Sequence, residues 1–242
     1  MNPVSTGVKQ IDVLLAGGIP EHQRVLVYGP SFQGKEALAK QAALANLKRG
    51  VPVILLLTNA ASQDVRDQME ARDPDVPRYE RDGLLWFVDA YSRQVGLKDN
   101  ASNVAYVDSP VDTNGLSLAL NRVHSHVIKK GSQHLLLIDS ASTLVLYANA
   151  QATFRFLQVL VGRARQAGAV TMVLLDQGMH SDAEVQMFKH LVDGCIELRT
   201  NSDRTQLAVE GLGLQKNPGW LDYTLRDERV EVTGSLAAGR IH

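Results

Sequence analysis

The chain has 242 residues, of which 45% are hydrophobic and 21% are charged, and its formal net charge is −1 at pH 7. This composition is typical of a folded domain with a sizeable core and excludes an intrinsically disordered chain. The near-neutral charge disfavours a nucleic-acid-binding protein, because such domains usually carry a clear basic excess.

The apolar segments and the single cysteine restrict the class of protein further. Cys195 excludes an intramolecular disulfide and a cysteine-based metal cluster, and its alternating apolar surroundings predict a buried thiol. The apolar runs have the length of strands and are too short to span a membrane, and the first residues lack the pattern of a signal peptide. We therefore expect a cytoplasmic protein.

Short apolar runs alternate with helix-period segments over most of the chain. The predicted strands are Val25–Tyr28, Val53–Leu57, Leu84–Val88, His134–Ile138 and Val170–Leu175. The predicted helices are Glu36–Arg49, Gln63–Arg72 (stopped by Pro74 and Pro77), Leu116–Lys130 and Gln151–Gln166, with a turn-rich connection over Asp108–Gly115. Near-continuous apolar strands separated by helices indicate an α/β fold with a mainly parallel sheet covered on both faces.

The pattern changes after about residue 190. Short alternating runs separated by turns predict antiparallel strands that extend one edge of the sheet: Cys195–Arg199, Gln206–Leu212, Tyr223–Leu225 and Val230–Val232. We see neither an internal repeat nor a linker, so one domain over 1–234 and a flexible tail over 235–242 are expected.

The first predicted strand runs into a near match to the phosphate-binding pattern G-x-x-x-x-G-K-[ST]. The matching candidates for nucleotide binding are Gly29, Pro30, Ser31, Phe32, Gln33, Gly34, Lys35 and Glu36. The glycines let backbone N–H groups face phosphate oxygens, the lysine reaches the β and γ phosphates, and the helix that follows adds its positive end. Phe32 is unusual in such a loop, and either stacks on a partner or fills the space of a nucleotide.

Glu36 stands where a hydroxyl would bind Mg²⁺. A carboxylate can itself ligate Mg²⁺, but two like charges roughly 4 Å apart cost about 4 kcal/mol at an effective dielectric constant near 20. The alternative is that Glu36 swings outward, as an acid favoured by the helix dipole. A second candidate Mg²⁺ ligand is Asp139, which follows an apolar strand. Its alternative role is to cap a following turn or helix.

The opening of the chain resembles that of the KaiC-like ATPases of the RecA superfamily. Thr6-Gly-Val-Lys-Gln-Ile-Asp12 is followed at the family's spacing by Gly17-Gly-Ile-Pro20 and then by the phosphate-loop segment. Weaker similarity continues to about residue 233. The resemblance implies a RecA-like core, ATP and Mg²⁺ as cofactors, and a homo-oligomeric ring or filament with nucleotide held between subunits.

The chain departs from this family pattern at three places, of which Glu36 is the first. Asn59 and Ala60 stand where relatives carry a glutamate pair that activates water, and Asn59 could at most orient a water. No arginine accompanies Lys216, where relatives carry a Lys-x-Arg that reaches the neighbouring γ-phosphate. Gln177, after the strand that ends at Leu175, stands where RecA-like proteins often sense that phosphate; the alternative is that Asp176 and Gln177 are a polar pair at the entry of a loop.

These departures favour a pseudo-ATPase with a regulatory or scaffold role, with a further protein as partner and weak or absent hydrolysis. The alternatives are an active but atypical ATPase, with Asn59 or Gln177 placing water, and a recombinase-like DNA-binding module, which the neutral charge disfavours. His124 and His126 do not share a helix face, so we expect two surface residues rather than a metal site.

Overall fold

The computed structural model describes residues 3–97, 100–131, 133–201, 203–214 and 217–233. Within these residues, ten strands form one sheet in the order β10-β9-β8-β7-β1-β6-β5-β2-β3-β4. The strands are β1 (Arg24–Gly29), β2 (Val53–Leu57), β3 (Leu85–Asp89), β4 (Val104–Tyr106), β5 (His134–Ile138), β6 (Ala169–Asp176), β7 (Gly194–Asn201), β8 (Arg204–Gly211), β9 (Leu221–Arg226) and β10 (Arg229–Val232).

The helices are α1 (Lys9–Leu14), α2 (Lys35–Lys48), α3 (Ser62–Glu70), α4 (Val76–Arg81), α5 (Thr113–Val127), α6 (Ala141–Tyr147), α7 (Ala150–Gln166) and α8 (Asp182–Lys189). Within the described ranges, no helix has both the length and the apolar character needed to cross a membrane.

The sheet is mainly parallel, as predicted. The pairs β1–β6, β5–β6, β2–β5, β2–β3 and β3–β4 all run parallel. Strands β8, β9 and β10 extend one edge in antiparallel fashion. Strand β7 pairs antiparallel with β8, as predicted, and it also pairs parallel with β1, which was not predicted, so it is the junction between the two parts.

Helices cover both faces of the sheet. Successive strand residues point to opposite faces, so neighbouring residues belong to different cores. Leu55 and Leu137 belong to the core under α1 to α4, whereas Leu56 and Leu136 belong to the core under α5 to α8. This two-layer burial explains why the parallel strands have continuous apolar sequences.

Several boundaries differ from the sequence-based prediction, and the missed elements are short. Helix α5 begins at Thr113, within the expected turn-rich connection, because the Asp112 side chain accepts a hydrogen bond from the Gly115 N–H and caps it. Pro77, expected to stop a helix, lies in the first turn of α4, where a missing N–H costs nothing. The helices α1, α4, α6 and α8 have eight residues or fewer and were not predicted.

The N-terminal motif, residues 6–20, is held by hydrogen bonds within itself, and the residue before it is hydrogen-bonded to α2. Oδ1 of Asp12 accepts hydrogen bonds from the N–H and the hydroxyl of Thr6, both at 2.7 Å. The Asn46 side chain bonds both the N–H and the carbonyl of Ser5, at 3.1 and 2.8 Å. Gly18, with φ +133°, passes so close to Val4 that a Cβ would lie 2.4 Å from its carbonyl oxygen. The motif therefore positions the chain that leads into β1.

Cys195 is buried as predicted, and burial raises the pKa of its thiol to about 12. The prediction for His124 was wrong: it is 5% exposed, and its ring lies 4.9 Å from that of His134, because the last turn of α5 packs over the start of β5. His126 is exposed as expected. The predicted tail over 235–242 and Lys216 lie outside the described residues.

Candidate functional site

Parallel strands bring their carboxyl ends to one edge of the sheet, and the predicted site residues gather there. Gly29 ends β1, Asp139 follows β5, and Asp176 ends β6. Asn59 follows β2, which pairs with β5. The fold thus places the glycine loop next to the polar residues that were predicted from distant parts of the sequence.

The loop between β1 and α2 curls as a phosphate-binding loop does. Gly34 has φ +94° and precedes α2, and no side chain caps the first turn of this helix. Phe32 also adopts a left-handed conformation, with φ +62°. The C-terminal strands support the loop: the Tyr223 hydroxyl donates a hydrogen bond of 2.6 Å to the Gln33 carbonyl. The uncapped N–H groups of α2 leave a cradle that suits an anion.

Lys35 is buried, and its ammonium group is held by acceptors of the loop, of α2 and of β6. Its side chain is 2% exposed, and Nζ lies 2.7 Å from both Oε1 of Glu36 and Oδ1 of Asp176. A third acceptor, the Pro30 carbonyl, lies at 3.5 Å. Burial acts to lower the pKa of Lys35, but the hydrogen bonds to Asp176 and Glu36 outweigh it and raise the pKa above its ordinary value. Glu36 is half exposed in the first turn of α2, and its carboxylate pairs with the lysine.

Both carboxylate oxygens of Asp139 are already engaged. Oδ1 accepts hydrogen bonds from the N–H and the hydroxyl of Thr58, each at 2.8 Å, and Oδ2 accepts one from the Asn59 N–H at 3.1 Å. Burial raises the pKa of Asp139 to about 6, although these hydrogen bonds oppose the rise. Asp139 does not cap α6, since the Ser140 hydroxyl accepts the Thr143 N–H there. Asp139 therefore ties the end of β2 to the end of β5.

The side chains of Asn59 and Gln177 are exposed. Gln177 is held by its backbone, because its N–H donates to the Gly29 carbonyl at 2.9 Å. Phe32 is 92% exposed. The structure thus brings Asn59, Gln177, Asp139 and the loop to one edge.

Three further residues lie in the site but were not predicted as site residues from the sequence. Asp176 binds Lys35, and its own N–H donates to the Ser142 hydroxyl at 2.9 Å. That hydroxyl lies 2.8 Å from Nε2 of His180, whose pKa is lowered by burial. Asp176 could have been found from its position, because it ends an apolar strand just as Asp139 follows one. Nothing local in the sequence marks Ser142 or His180.

A cavity of about 470 Å³ lies beside the loop, between α2 and α3, and we call it the α2–α3 cleft. Its floor is formed by leucines of β2, β5 and β6: Leu55, Leu57, Leu137 and Leu174. Its mouth carries the carboxylates Glu36, Asp139 and Asp176, and the loop residue Phe32.

The site residues suit a phosphate group better than they suit Mg²⁺. The curled loop and the uncapped start of α2 suit a phosphate group. For Mg²⁺, no cluster of three or more histidine, cysteine, aspartate or glutamate side chains is arranged as a metal site among the described residues. Glu36 is paired with Lys35, and Asp139 is bound by Thr58 and Asn59. The geometry therefore supports phosphate binding better than metal binding.

Comparison with known proteins agrees with this architecture. A family model described as "ATPase: KaiC" matches residues 4–210. A UPF0273 protein of Pyrobaculum aerophilum is 32% identical over 198 residues, covering 81% of this chain and 68% of the relative. A UPF0273 protein of Aeropyrum pernix is 29% identical over 232 residues, covering 95% of this chain and 90% of the relative.

Among solved structures, a KaiC-like protein of the hyperthermophilic archaeon Pyrococcus horikoshii superposes with a TM-score of 0.71. The match covers 96% of this chain and 98% of that protein at 18% sequence identity, which shows a shared fold. The curled loop after β1, the parallel sheet with its antiparallel extension, and the matched family model lead to one conclusion. The chain belongs to the KaiC family of the RecA-superfamily P-loop ATPases.

Proposed function

We propose that this chain is a nucleotide-binding KaiC-family protein with weak or absent ATP hydrolysis. It acts as a cytoplasmic regulatory or scaffold subunit within a homo-oligomeric ring or filament. The observation that carries the proposal is the position of Lys35, held between Glu36 and Asp176 at 2.7 Å from each. The loop and the uncapped start of α2 suit a phosphate group, whereas the lysine of the loop is already paired with two carboxylates.

The two ion pairs weaken nucleotide binding in two ways. Lys35 must leave both carboxylates before its ammonium can reach a phosphate. The carboxylates then remain beside the polyphosphate, where each like-charge contact costs about 4 kcal/mol at roughly 4 Å and an effective dielectric constant near 20. The backbone N–H groups of the loop still attract an anion. We therefore expect ATP to bind weakly and with little dependence on Mg²⁺.

Hydrolysis lacks a dedicated base in this site. The end of β2 presents Asn59 and Ala60, and neither side chain accepts a proton at neutral pH. Asn59 and the exposed Gln177 could orient a water, but orientation alone leaves the proton without an acceptor. Lys216 replaces the family's arginine only in part, because a lysine lacks the planar fork that grips phosphate oxygens.

One observation favours the alternative of an active, atypical ATPase. Burial raises the pKa of Asp139 to about 6, which brings the carboxyl near the range suited to a general base. In this alternative, Glu36 would release Lys35, and Glu36 and Asp139 would be the residues that hold Mg²⁺. Asp139 would have to exchange its bonds with Thr58 and Asn59 for a water or the metal.

Calorimetric titration with ATP, with and without Mg²⁺, tests the proposal. Wild type should bind weakly, with similar affinity in both conditions, and should show no turnover. Glu36→Thr restores the hydroxyl and removes one carboxylate from Lys35, so it should bind ATP more tightly and in a Mg²⁺-dependent manner. The matched control Glu70→Gln changes an exposed glutamate at the end of α3 and should behave as wild type.

Two results would overturn the proposal. Mg²⁺-dependent turnover by wild type that disappears in Lys35→Ala would identify an active ATPase. Absence of binding at millimolar ATP, in wild type and in Glu36→Thr alike, would leave a protein that shares only the fold with its nucleotide-binding relatives.

A further inference from the structure

The α2–α3 cleft has an interior that does not suit a phosphate group. Its floor is the set of four leucines named above, and Ala39 of α2 and Val65 of α3 line its walls. A charged phosphate placed against this surface would lose hydration without gaining hydrogen bonds. The interior instead favours an apolar group, because these six side chains are buried members of the core and offer no hydrogen-bond partner.

The mouth of the cleft has spare hydrogen-bond acceptors. Lys35 already faces three acceptors, which match the three protons of its ammonium group. Glu36 and Asp176 each use one carboxylate oxygen for Lys35, and their second oxygens make no hydrogen bond within the described part of the chain. The available capacity at the mouth is therefore suited to a donor that carries positive charge.

The charges at the mouth also favour a cationic group. Three carboxylates line the cleft, those of Glu36, Asp139 and Asp176, and the fully engaged Lys35 lies beside them. Lys40, the lysine that lines the wall, donates to the Gln68 side chain, and burial lowers its pKa. A cationic head at the mouth thus meets an excess of negative charge.

We propose that the α2–α3 cleft binds a small apolar molecule with a primary ammonium head. The apolar part lies on the leucine floor, and the ammonium group donates to the free oxygens of Glu36 and Asp176. The volume of about 470 Å³ falls within the range of ligand pockets, roughly 300–1,000 Å³. The site shares its mouth with the phosphate loop, but its occupation does not depend on nucleotide binding.

Titrations with hexylamine, 1-hexanol and hexanoate at neutral pH, without nucleotide, test this site by ligand-observed NMR. Hexylamine should bind most tightly, 1-hexanol less so, and hexanoate most weakly. Shortening hexylamine to butylamine removes two methylenes and should weaken binding about tenfold. Equal binding of all three hexyl compounds, or no binding of hexylamine at millimolar concentration, would overturn the proposal.

Variants separate the two halves of the site. Ala60→Leu should fill the cleft and abolish hexylamine binding, whereas Ala183→Leu, at an exposed position of α8, should bind as wild type. Glu36→Gln should reduce the preference for hexylamine over 1-hexanol, because Asp176 remains as the other carboxylate, and it should not alter the fold, as judged by thermal unfolding. If it leaves the preference for hexylamine unchanged, the assigned head group site is wrong.

Lys35→Ala distinguishes this proposal from the nucleotide-binding proposal. The variant removes the lysine on which phosphate binding depends, so ATP affinity should fall. It also removes the positive charge shared by Glu36 and Asp176, so hexylamine affinity should rise. A loss of ATP binding without any gain for hexylamine would contradict the ammonium site alone.

Discussion

Nζ of Lys35 and Oδ1 of Asp176 lie 2.7 Å apart, in an ion pair that joins the start of α2 to the end of β6. Oε1 of Glu36, the residue next to the lysine, lies at the same distance from Nζ and forms a second ion pair. The lysine that defines the phosphate loop is therefore also part of the interior of the domain. Substitutions around Lys35 should therefore change both nucleotide binding and stability.

Asp176→Asn should lower the free energy of unfolding by about 1–3 kcal/mol, because it removes a charged acceptor from a buried ammonium group. The same change should raise the affinity for ATP, since Lys35 then has one competitor fewer and the phosphates meet one charge fewer. Urea unfolding and ATP titration measure the two effects. Asp64→Asn, at an exposed position of α3, is the matched control and should change neither by a comparable amount.

Tyr223→Phe should lower the free energy of unfolding by about 1 kcal/mol, because the Gln33 carbonyl loses its hydrogen bond. Burial raises the pKa of Tyr223 to about 12, so the hydroxyl stays protonated as a donor. Hydrogen exchange should also become faster at the amides of the loop. Tyr147→Phe, at an exposed tyrosine of α6, should leave the exchange of the loop unchanged. If both variants change it equally, Tyr223 does not hold the loop.

Gly34→Ala should cost about 1–3 kcal/mol of stability, because alanine rarely adopts φ +94°. Its Cβ would also lie 3.2 Å from the side chains of Leu225 and Val230, which must then shift. Gly50→Ala is the control: it has φ +73°, and its Cβ would meet nothing within 4 Å. Thermal unfolding should therefore show the larger loss for Gly34→Ala. Equal losses would mean that the C-terminal strands do not press on the loop.

Asp139 should make stability depend on pH between about 4 and 6. The native state raises the pKa of this carboxyl to about 6, so it binds the proton more tightly than the unfolded chain. Its contribution to stability is therefore largest below the unfolded pKa, and it declines as the pH rises through 6, by on the order of 1–2 kcal/mol.

The comparison of wild type with Asp139→Asn isolates this effect. Asparagine has an NH₂ group in place of one carboxylate oxygen, so it loses at least one of the accepted hydrogen bonds at every pH. It does not titrate. The difference between the two free energies of unfolding should therefore shift in favour of the variant as the pH rises from 4 to 7. A difference that stays constant over this range would contradict the raised pKa of Asp139.

The parallel core and the location of the phosphate loop could be predicted from local patterns in the sequence. Continuous apolar runs such as Val53–Leu57 and His134–Ile138 carry enough local pattern to mark buried strands. Short helices such as α6 and α8 escaped prediction, because one or two turns give too few repeats of the helical period. The parallel pairing of β7 with β1 was also missed, since pairing depends on contacts between distant segments.

The loss of the hydroxyl at position 36 and of a base near Asn59 could be read from the sequence, because each belongs to a local motif. The partners of the lysine, in contrast, depend on how distant segments pack. Lys35 reaches Asp176 because β1 and β6 are neighbours in the sheet and end at the same edge. An ion pair between distant segments depends on the packing of both, and no local pattern encodes it. That contact turns a near-complete phosphate loop into one whose lysine is already bound.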